Sequence, residues 1–277
     1  MKKIMLLILL QLSVNIIYSQ INRWKVSGKI YYNTTHIRDT ISSRTMNEVS
    51  ILYFGAEGSL YRSYEAMQGL AAFQKWRESG YIGPNPGFGR GTRDLYYVNP
   101  NKKEVARVRD FFIGGDLLSK ANYIMPEPME SFNWNITTQT KKIGDFICQM
   151  ATGNCRGRLY TVWFCSDIPF SAGPWKLAGL PGLILEAEDS KKQVIFRFNR
   201  IEYPITEFIE PVPNAIIVKE TDFEKMRQAY YDNPNPSGSN TGVKAIIKNA
   251  QGQEVISKRP TINNPIDLIS KLPTLIF

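Results

Sequence analysis

The chain of 277 residues is poor in histidine, which occurs once as His36, and in cysteine, which occurs three times. A single histidine excludes a histidine-based metal cluster and leaves one position for an acid–base imidazole. No Gly-x-Ser-x-Gly elbow is present to position a serine nucleophile. The sequence therefore predicts no metal, no cofactor and no catalytic residue, and it favours a protein that is not an enzyme. His36 follows a predicted strand and is expected to be an ordinary surface residue.

Long apolar runs are absent too, except near the start, where residues 4–17 are apolar apart from three polar positions. Lys2 and Lys3 precede this run and Tyr18-Ser19 follows it, which is the pattern of a secretory signal peptide over residues 1–19. The run is shorter than the roughly 20 residues that a membrane-spanning helix needs. We therefore expect an exported chain, periplasmic or secreted, with no transmembrane segment in its mature part.

Basic residues outnumber acidic ones by 34 to 25, which gives a net charge of +9. In a bacterial envelope such a balance favours contact with acidic lipids, lipopolysaccharide or glycans, and scattered lysines that keep the protein in solution are the alternative explanation. Nucleic acid is not an expected partner, because export separates the chain from it and no segment concentrates base-reading residues.

Alternation of apolar and polar residues dominates the rest of the chain. In one example Val194, Phe196 and Phe198 share a strand face, and Arg197 and Asn199 take the other. Strands with one buried face are typical of antiparallel sheets. The predicted fold class is mainly β (α+β), with a large curved antiparallel sheet or an incomplete barrel and one or two helices.

The predicted helices cover residues 64–79, from near-helical spacing of apolar side chains, and residues from Thr221 to about Tyr231, from a capping box. No internal repeat or sharp boundary divides the chain, so one β-rich domain over 20–277 is predicted. Its last part, from about 233 to 277, begins with a Pro-, Ser- and Gly-rich stretch and is expected to be a peripheral tail.

The three cysteines, Cys148, Cys155 and Cys165, lie in a predicted hairpin. With a turn at 154–157, Cys148 and Cys165 fall on the same face of neighbouring strands as diagonal neighbours. Ten residues of strand would hold Cys155 about 33 Å from Cys165, whereas a disulfide needs Cα atoms about 4.4–6.8 Å apart. A 155–165 bridge is therefore excluded, and a 148–165 bridge, a 148–155 bridge or three free thiols remain open.

Residues 173–185 contain a dense run of the turn-forming residues glycine and proline and lead into an apolar strand. Pro181-Gly182 predicts a type II turn with glycine at positive φ, and Gly173-Pro174 predicts an earlier turn. The residues with a predicted structural role in this segment are Gly173, Pro174, Gly179, Leu180, Pro181, Gly182, Leu183 and Ile184.

The run Gly179-Leu-Pro-Gly-Leu-Ile184 resembles the signature of the GLPGLI family, secreted proteins of Gram-negative bacteria with no assigned biochemical role. Flanking segments resemble the family's usual context; they are Tyr160-Thr-Val-Trp-Phe164, Asp167-Ile-Pro169, Gly173-Pro-Trp-Lys176 and Leu185-Glu-Ala-Glu-Asp189. Weaker landmarks are Cys148-Gln-Met-Ala151 and Asn264-Pro-Ile-Asp-Leu268. Cys165 departs from the pattern, since a small hydroxyl residue is expected there. The resemblance implies export and carries over no catalytic residue.

Aromatic side chains gather around this motif and form a candidate binding site, composed of Trp163, Phe164, Phe170, Trp175 and Lys176. Aromatic walls with a few polar groups are typical of pockets for an acyl chain or a sugar ring, and core packing is the alternative explanation. A second candidate contact surface surrounds the glycine-rich loop at 83–91 and consists of Tyr81, Phe88, Arg90 and Arg93.

The favoured function is a non-enzymatic envelope protein that binds an amphiphilic ligand, such as a lipid or glycan, or docks to an outer-membrane protein. One alternative is a hydrolase of envelope glycan or peptide, because Glu186 and Glu188 share a strand face about 7 Å apart. The other is a structural component of a membrane complex.

Overall fold

Consecutive antiparallel hairpins build most of the fold. The computed structural model describes residues 23–81, 83–84, 86–87, 91–112, 120–210, 212–213, 215–232 and 263–268. The predicted signal peptide over 1–19 lies outside the described residues, as does most of the predicted tail over 233–277. Within the described ranges, no helix is both long enough and apolar enough to cross a membrane.

The described strands follow one another along almost the whole chain. They are β1 (Trp24–Val26), β2 (Gly28–Asp39), β3 (Arg44–Gly55), β4 (Gly58–Ser63), β5 (Leu95–Asn99), β6 (Glu104–Phe112), β7 (Lys120–Pro128), β8 (Asn135–Ile143), β9 (Phe146–Cys155), β10 (Arg158–Cys165), β11 (Leu183–Asp189), β12 (Val194–Glu202), β13 (Glu207–Ile209) and β14 (Ala215–Ile217).

Twelve of these strands form one sheet in the order β14-β7-β6-β5-β4-β3-β2-β12-β11-β10-β9-β8, and β1 pairs with β13 in a separate ribbon. All pairs in the large sheet are antiparallel except β14 with β7, which is parallel. The sheet is mixed and is not closed into a barrel. The predicted mainly β fold class is therefore confirmed.

Two helices accompany the sheet in the described part of the chain. Helix α1 (Tyr64–Glu78) confirms the helix predicted over 64–79, and the Ser63 hydroxyl oxygen caps it by accepting from the Ala66 N–H. Helix α2 (Glu220–Asp232) begins before Thr221, so the predicted capping box is wrong in position. The Lys219 carbonyl lies at its start and accepts from the backbone of the first turn.

The largest hydrophobic cluster lies on one face of the sheet, where β2 to β4, β9 to β12 and the loop 166–182 meet. Its bulkiest fully buried members are Tyr32, Phe54, Tyr160, Phe164, Trp175 and Phe196. A smaller cluster joins the β1–β13 ribbon to β4, with Trp24, Val26 and Leu60 at its centre. This smaller cluster around Leu60 borders a cavity beneath α1.

Residues 263–268 lie against the sheet. The side-chain amide of Asn264 donates to the Ile37 carbonyl at 2.6 Å, and its backbone N–H donates to the Arg38 carbonyl at 3.1 Å. The Asn264 carbonyl oxygen lies 2.8 Å from His36 Nε2. His36 is only 6% exposed, so its predicted surface position is wrong. These six residues of the predicted tail are part of the folded unit.

Candidate functional site

A cavity of about 540 Å³ lies between α1, strands β3 to β6, and residues 208–210 and 212–213. The strands form its floor, because alternate side chains of each strand project toward α1. The floor residues come from the hairpin of β3 and β4 and from the two strands that follow α1. Cavities of this size can bury a small ligand.

One end of the floor is apolar and aromatic. Leu60 on β4 pairs in register with Tyr53 on β3 and with Tyr97 on β5, and all three line the cavity. Burial raises the pKa of Tyr97 to about 12 and raises the pKa of Tyr53 as well. Both phenols are therefore uncharged at neutral pH and offer ring faces and hydroxyl groups.

Arg62 lies in the next row of the floor. Its register partners are Ile51 on β3 and Leu95 on β5, which are both apolar. Within the part of the chain that the structure describes, the Arg62 guanidinium makes no hydrogen bond and no ion pair. Burial lowers the pKa of Arg62 from its ordinary value, but a guanidinium stays charged in proteins. The Arg62 guanidinium thus lines the cavity without a hydrogen-bonded acceptor among the described residues.

The following row is polar. Asp110 pairs in register with Asn122, and its Oδ2 lies 3.4 Å from Arg93 Nη2. The other oxygen of Asp110, Oδ1, is buried and accepts no hydrogen bond from any described residue. Asp110 also raises the pKa of Arg62 by electrostatic attraction. The cavity therefore has an apolar end, a central cation and a polar end with a free acceptor.

The predicted aromatic site is distributed over the core. Phe164 and Trp175 are fully buried in the largest cluster, and Phe170 packs against it with its ring centre 5.2 Å from that of Phe54. Trp163 is half-buried, and Lys141 Nζ lies over its ring, 4.5 Å from the ring centre. None of these aromatic residues is among the described residues that line the cavity. Packing in and against the hydrophobic core therefore explains the presence of these aromatic residues.

Lys176, the fifth residue of the predicted site, is buried within an ion network. Its Nζ lies 2.5 Å from Glu127 Oε1 and 3.3 Å from Asp267 Oδ2. Arg156 contacts the same two carboxylates at 3.1 Å and 2.6 Å. Lys176 therefore joins the motif loop to β7 and to the segment 263–268.

The two carboxylates considered for hydrolysis are both ion-paired. Glu186 Oε2 lies 2.6 Å from Lys141 Nζ, and Glu188 accepts from the Arg197 guanidinium. Neither glutamate is among the described residues that line the cavity. Among the described residues there is also no group of three or more His, Cys, Asp or Glu side chains that could hold a metal ion.

The second predicted surface is only partly described. Arg93 lines the cavity, whereas Tyr81 is 63% exposed and does not. Phe88 and Arg90 lie outside the described residues.

The motif loop packs closely, but its turn differs from the prediction. Gly179 has a positive φ of 90°, whereas Gly182 does not, so the predicted type II turn at Pro181-Gly182 is wrong. Gly182 is needed for space, since a Cβ there would lie 2.1 Å from the Cys165 carbonyl oxygen. Trp134 fixes the loop further by donating from Nε1 to the Ala178 carbonyl at 2.8 Å.

Four residues of the cavity were not predicted as site residues from the sequence; they are Tyr53, Arg62, Tyr97 and Asp110. The sequence does contain a hint of the role of Arg62, because in the short strand β4 this cation shares a face with Leu60. A cation on an apolar strand face is unusual, and its neighbours become known only with the register of both flanking strands.

Comparison with known proteins identifies one short segment. A family described as "Protein of unknown function (Porph_ging)" matches residues 156–186, which contain β10 and the motif loop. This match is consistent with a GLPGLI-type family. No curated protein matches the chain.

Two solved structures are similar to the chain, and both are described as structures of PNGF-II. The one in space group P21 has 12% identity and a TM-score of 0.47, covering 73% of this chain and 33% of that one. The one in space group C2 has 13% identity and a TM-score of 0.44, covering 73% and 32%. The chain thus spans about a third of the length of the structures it matches. The family to which the chain shows similarity, over residues 156–186, is one of unknown function.

Proposed function

We propose that this protein is a non-enzymatic binding protein that takes an amphiphilic anion into the cavity beneath α1. The anionic group pairs with Arg62, and the apolar part of the ligand lies along Tyr53, Leu60 and Tyr97. The observation that carries the proposal is the Arg62 guanidinium, which lines the cavity without a hydrogen bond or an ion pair to any described residue.

An unpaired cation in a partly desolvated site is costly, because burial removes water that solvates the charge. In the apo protein the register partners of Arg62, Ile51 and Leu95, offer no acceptor, and Asp110 attracts the guanidinium without forming an ion pair with it. A bound carboxylate or phosphate would supply acceptors that match the guanidinium in shape and charge. Ligand binding therefore relieves a cost that the free protein carries.

The apolar end favours an acyl or alkyl chain over a sugar. Leu60 and the rings of Tyr53 and Tyr97 form an apolar and aromatic surface, and Ile209 packs against the same cluster. Burial of alkyl groups contributes about 0.8 kcal/mol for each CH₂. A lipid-like ligand uses both ends of the cavity, whereas a glycan would leave the apolar end unmatched.

The test is calorimetric titration of the whole protein with octanoate, octyl phosphate and octanol. We expect the two anions to bind and the neutral alcohol, which has the same chain, to bind at least tenfold more weakly. Arg62→Gln should weaken octanoate binding by roughly ten- to hundredfold, the value of a charge-assisted hydrogen bond. Arg77→Gln is the matched control, because Arg77 is exposed at the end of α1 and does not line the cavity.

Unfolding of Arg62→Gln without ligand gives an independent readout. Removal of an unpaired buried cation should leave the protein at least as stable as the parent. A large loss of stability would mean that the guanidinium has a structural role, and this would overturn the proposal. Equal affinity of both arginine variants, or no binding of either anion, would also overturn it and would favour docking to a protein partner.

A further inference from the structure

Cys148 and Cys165 face each other across the β9–β10 hairpin. The register runs without interruption from Arg158 opposite Cys155 to Phe164 opposite Gln149. One more step places Cys165 directly opposite Cys148, rather than diagonally as the sequence predicts. Directly opposite residues of an antiparallel pair project to the same side of the sheet.

Cys148 and Cys165 also belong to the kind of opposed pair whose Cα atoms lie closer together. Arg156 and Gly157 form a two-residue turn, with φ values of 50° and 80°, so the flanking Cys155 and Arg158 are a hydrogen-bonded pair. Hydrogen-bonded and non-hydrogen-bonded pairs alternate along the hairpin. By this alternation the opposed cysteines are a non-hydrogen-bonded pair, with Cα atoms about 4.5 Å apart. A disulfide accepts Cα separations of about 4.4–6.8 Å.

Cys155 has no such partner. It lies on the same strand as Cys148, seven residues away, which is about 23 Å along an extended chain. A 148–155 bridge, left open by the sequence, is therefore impossible in this fold. Cys155 lies opposite Arg158.

We infer that Cys148 and Cys165 form an intramolecular disulfide when the chain folds under oxidising conditions, and that Cys155 remains a free thiol. All three residues carry free thiols in the structure, and the neighbouring Cys165 contributes to the raised pKa of the Cys148 thiol, after burial. The bridge would tie the end of β10, where the motif loop begins, to β9.

The timing of oxidation follows from burial. Cys148 and Cys165 have no exposed surface, and burial raises the pKa of Cys148 to about 12. A buried, protonated thiol is a poor nucleophile. The bridge therefore forms before the hairpin is fully packed, and the folded reduced protein should react slowly with thiol reagents.

The chemistry is thiol–disulfide exchange with a small disulfide such as oxidised glutathione. The thiolate of one cysteine attacks glutathione disulfide and releases one glutathione thiolate. The second cysteine then attacks the protein sulfur of the mixed disulfide, the bridge forms, and the second glutathione leaves. In total two protein thiols lose two electrons and two protons, and one glutathione disulfide becomes two glutathione thiols.

The test begins with reduced, denatured full chain that is refolded in a mixture of reduced and oxidised glutathione. The product is then denatured and alkylated with iodoacetamide without reductant, and its intact mass is measured by mass spectrometry. We expect one alkyl group and a mass deficit of two hydrogen atoms, and peptide mapping should show Cys148 joined to Cys165. Three alkyl groups, a lasting glutathione adduct on Cys148 or Cys165, or a linked peptide that contains Cys155 would each overturn the inference.

Cys155→Ala is the matched control variant. It should keep the bridge and take up no alkyl group, whereas Cys165→Ala should lose the bridge and take up two. If Cys165→Ala fails to fold, peptide mapping of the parent chain still decides the pairing. A thermal unfolding midpoint that rises on oxidation in the parent and in Cys155→Ala, but not in Cys165→Ala, would support the same assignment.

Discussion

Arg158 and Asp189 form a buried ion pair in which Nη1 and Oδ2 are 2.7 Å apart and each side chain is 2% exposed. The second oxygen of Asp189 accepts from the backbone N–H groups of Gln193 and Val194, in the turn that leads into β12. The pair therefore joins the first residue of β10 to the last residue of β11 and to the turn beyond it.

The remaining donors of Arg158 hold the segment 263–268 in place. They reach the Asn264 side-chain oxygen at 2.6 Å, the Pro265 carbonyl at 2.7 Å and the Ile266 carbonyl at 3.1 Å. Asp189 and Asn264 belong to two sequence landmarks that are 75 positions apart. One guanidinium thus contacts both landmarks, which explains how Asn264 of the tail segment is buried against the sheet.

Replacement of Arg158 by methionine should strongly destabilise the protein. The substitution leaves the Asp189 carboxylate buried without its cation and leaves three acceptors of the tail segment without donors. Loss of one partner of a buried pair costs about 3–5 kcal/mol, and urea unfolding followed by circular dichroism would measure it. Arg23→Met is the control, because its pair with Glu210 is 60% and 66% exposed and should contribute less than about 1 kcal/mol. Equal effects of the two variants would contradict the assignment.

The stability should depend on pH through the single histidine. Burial, together with the positive charges of Arg38 and Arg158, lowers the pKa of His36 to about 4, against the opposing effects of the Asn264 carbonyl and Asp189. The unfolded chain binds a proton near pH 6.5, whereas the folded protein does not until the pH is near 4. The free energy of unfolding should therefore fall as the pH drops through this window, by up to about 3 kcal/mol.

Urea unfolding at several pH values, for the parent chain and for His36→Gln, would isolate this contribution. Carboxylates titrate in part of the same range in both proteins, so the difference between the two curves reports the histidine. We expect the parent to lose more stability than the variant between pH 6.5 and 4, with parallel curves above that range. Parallel curves throughout would show that His36 titrates equally in both states.

Alternation of apolar and polar residues was enough to predict a mainly β fold, and near-helical spacing of apolar residues predicted the helix over Tyr64–Glu78. The strand Lys120–Pro128 is harder to predict from the sequence, because Pro126 and Pro128 argue against a strand in the interior of a sheet. The register explains their presence. β14 pairs with β7 only at residues 122–124, so both prolines lie where that side of the strand is unpaired.

The cavity could not be predicted from the sequence for a related reason. Arg62 lies opposite Ile51 in the hairpin of β3 and β4. It also lies opposite Leu95 on β5, which follows β4 only after the whole of α1. Strand existence is a local property, whereas the neighbours of a side chain depend on register, which a shift of one residue reverses. The turn at Pro181-Gly182 was predicted wrongly, because Gly182 lacks a positive φ and is needed instead for its close approach to the Cys165 backbone.

Gly182→Ala should destabilise the motif loop. The new Cβ would lie 2.1 Å from the Cys165 carbonyl oxygen and 2.9 Å from the Ser166 Cα. Both atoms belong to the backbone, so neither can rotate away, and we expect a cost of about 1–3 kcal/mol from overpacking. Thermal or urea unfolding would measure it. A variant as stable as the parent would mean that the loop can shift at no cost.

Tyr32→Phe should test the contact between the sheet and the motif itself. The Tyr32 hydroxyl is fully buried and donates to the Ile184 carbonyl at 2.7 Å, which connects β2 to the last residue of the GLPGLI run. Phenylalanine keeps the ring but removes the donor, so the buried carbonyl loses a partner at a cost of about 1–3 kcal/mol. Tyr81→Phe, at an exposed position, should change the unfolding free energy by less than about 0.5 kcal/mol. If both variants unfold at the same urea concentration as the parent, the motif is held by packing alone and the hydroxyl contributes nothing to its position.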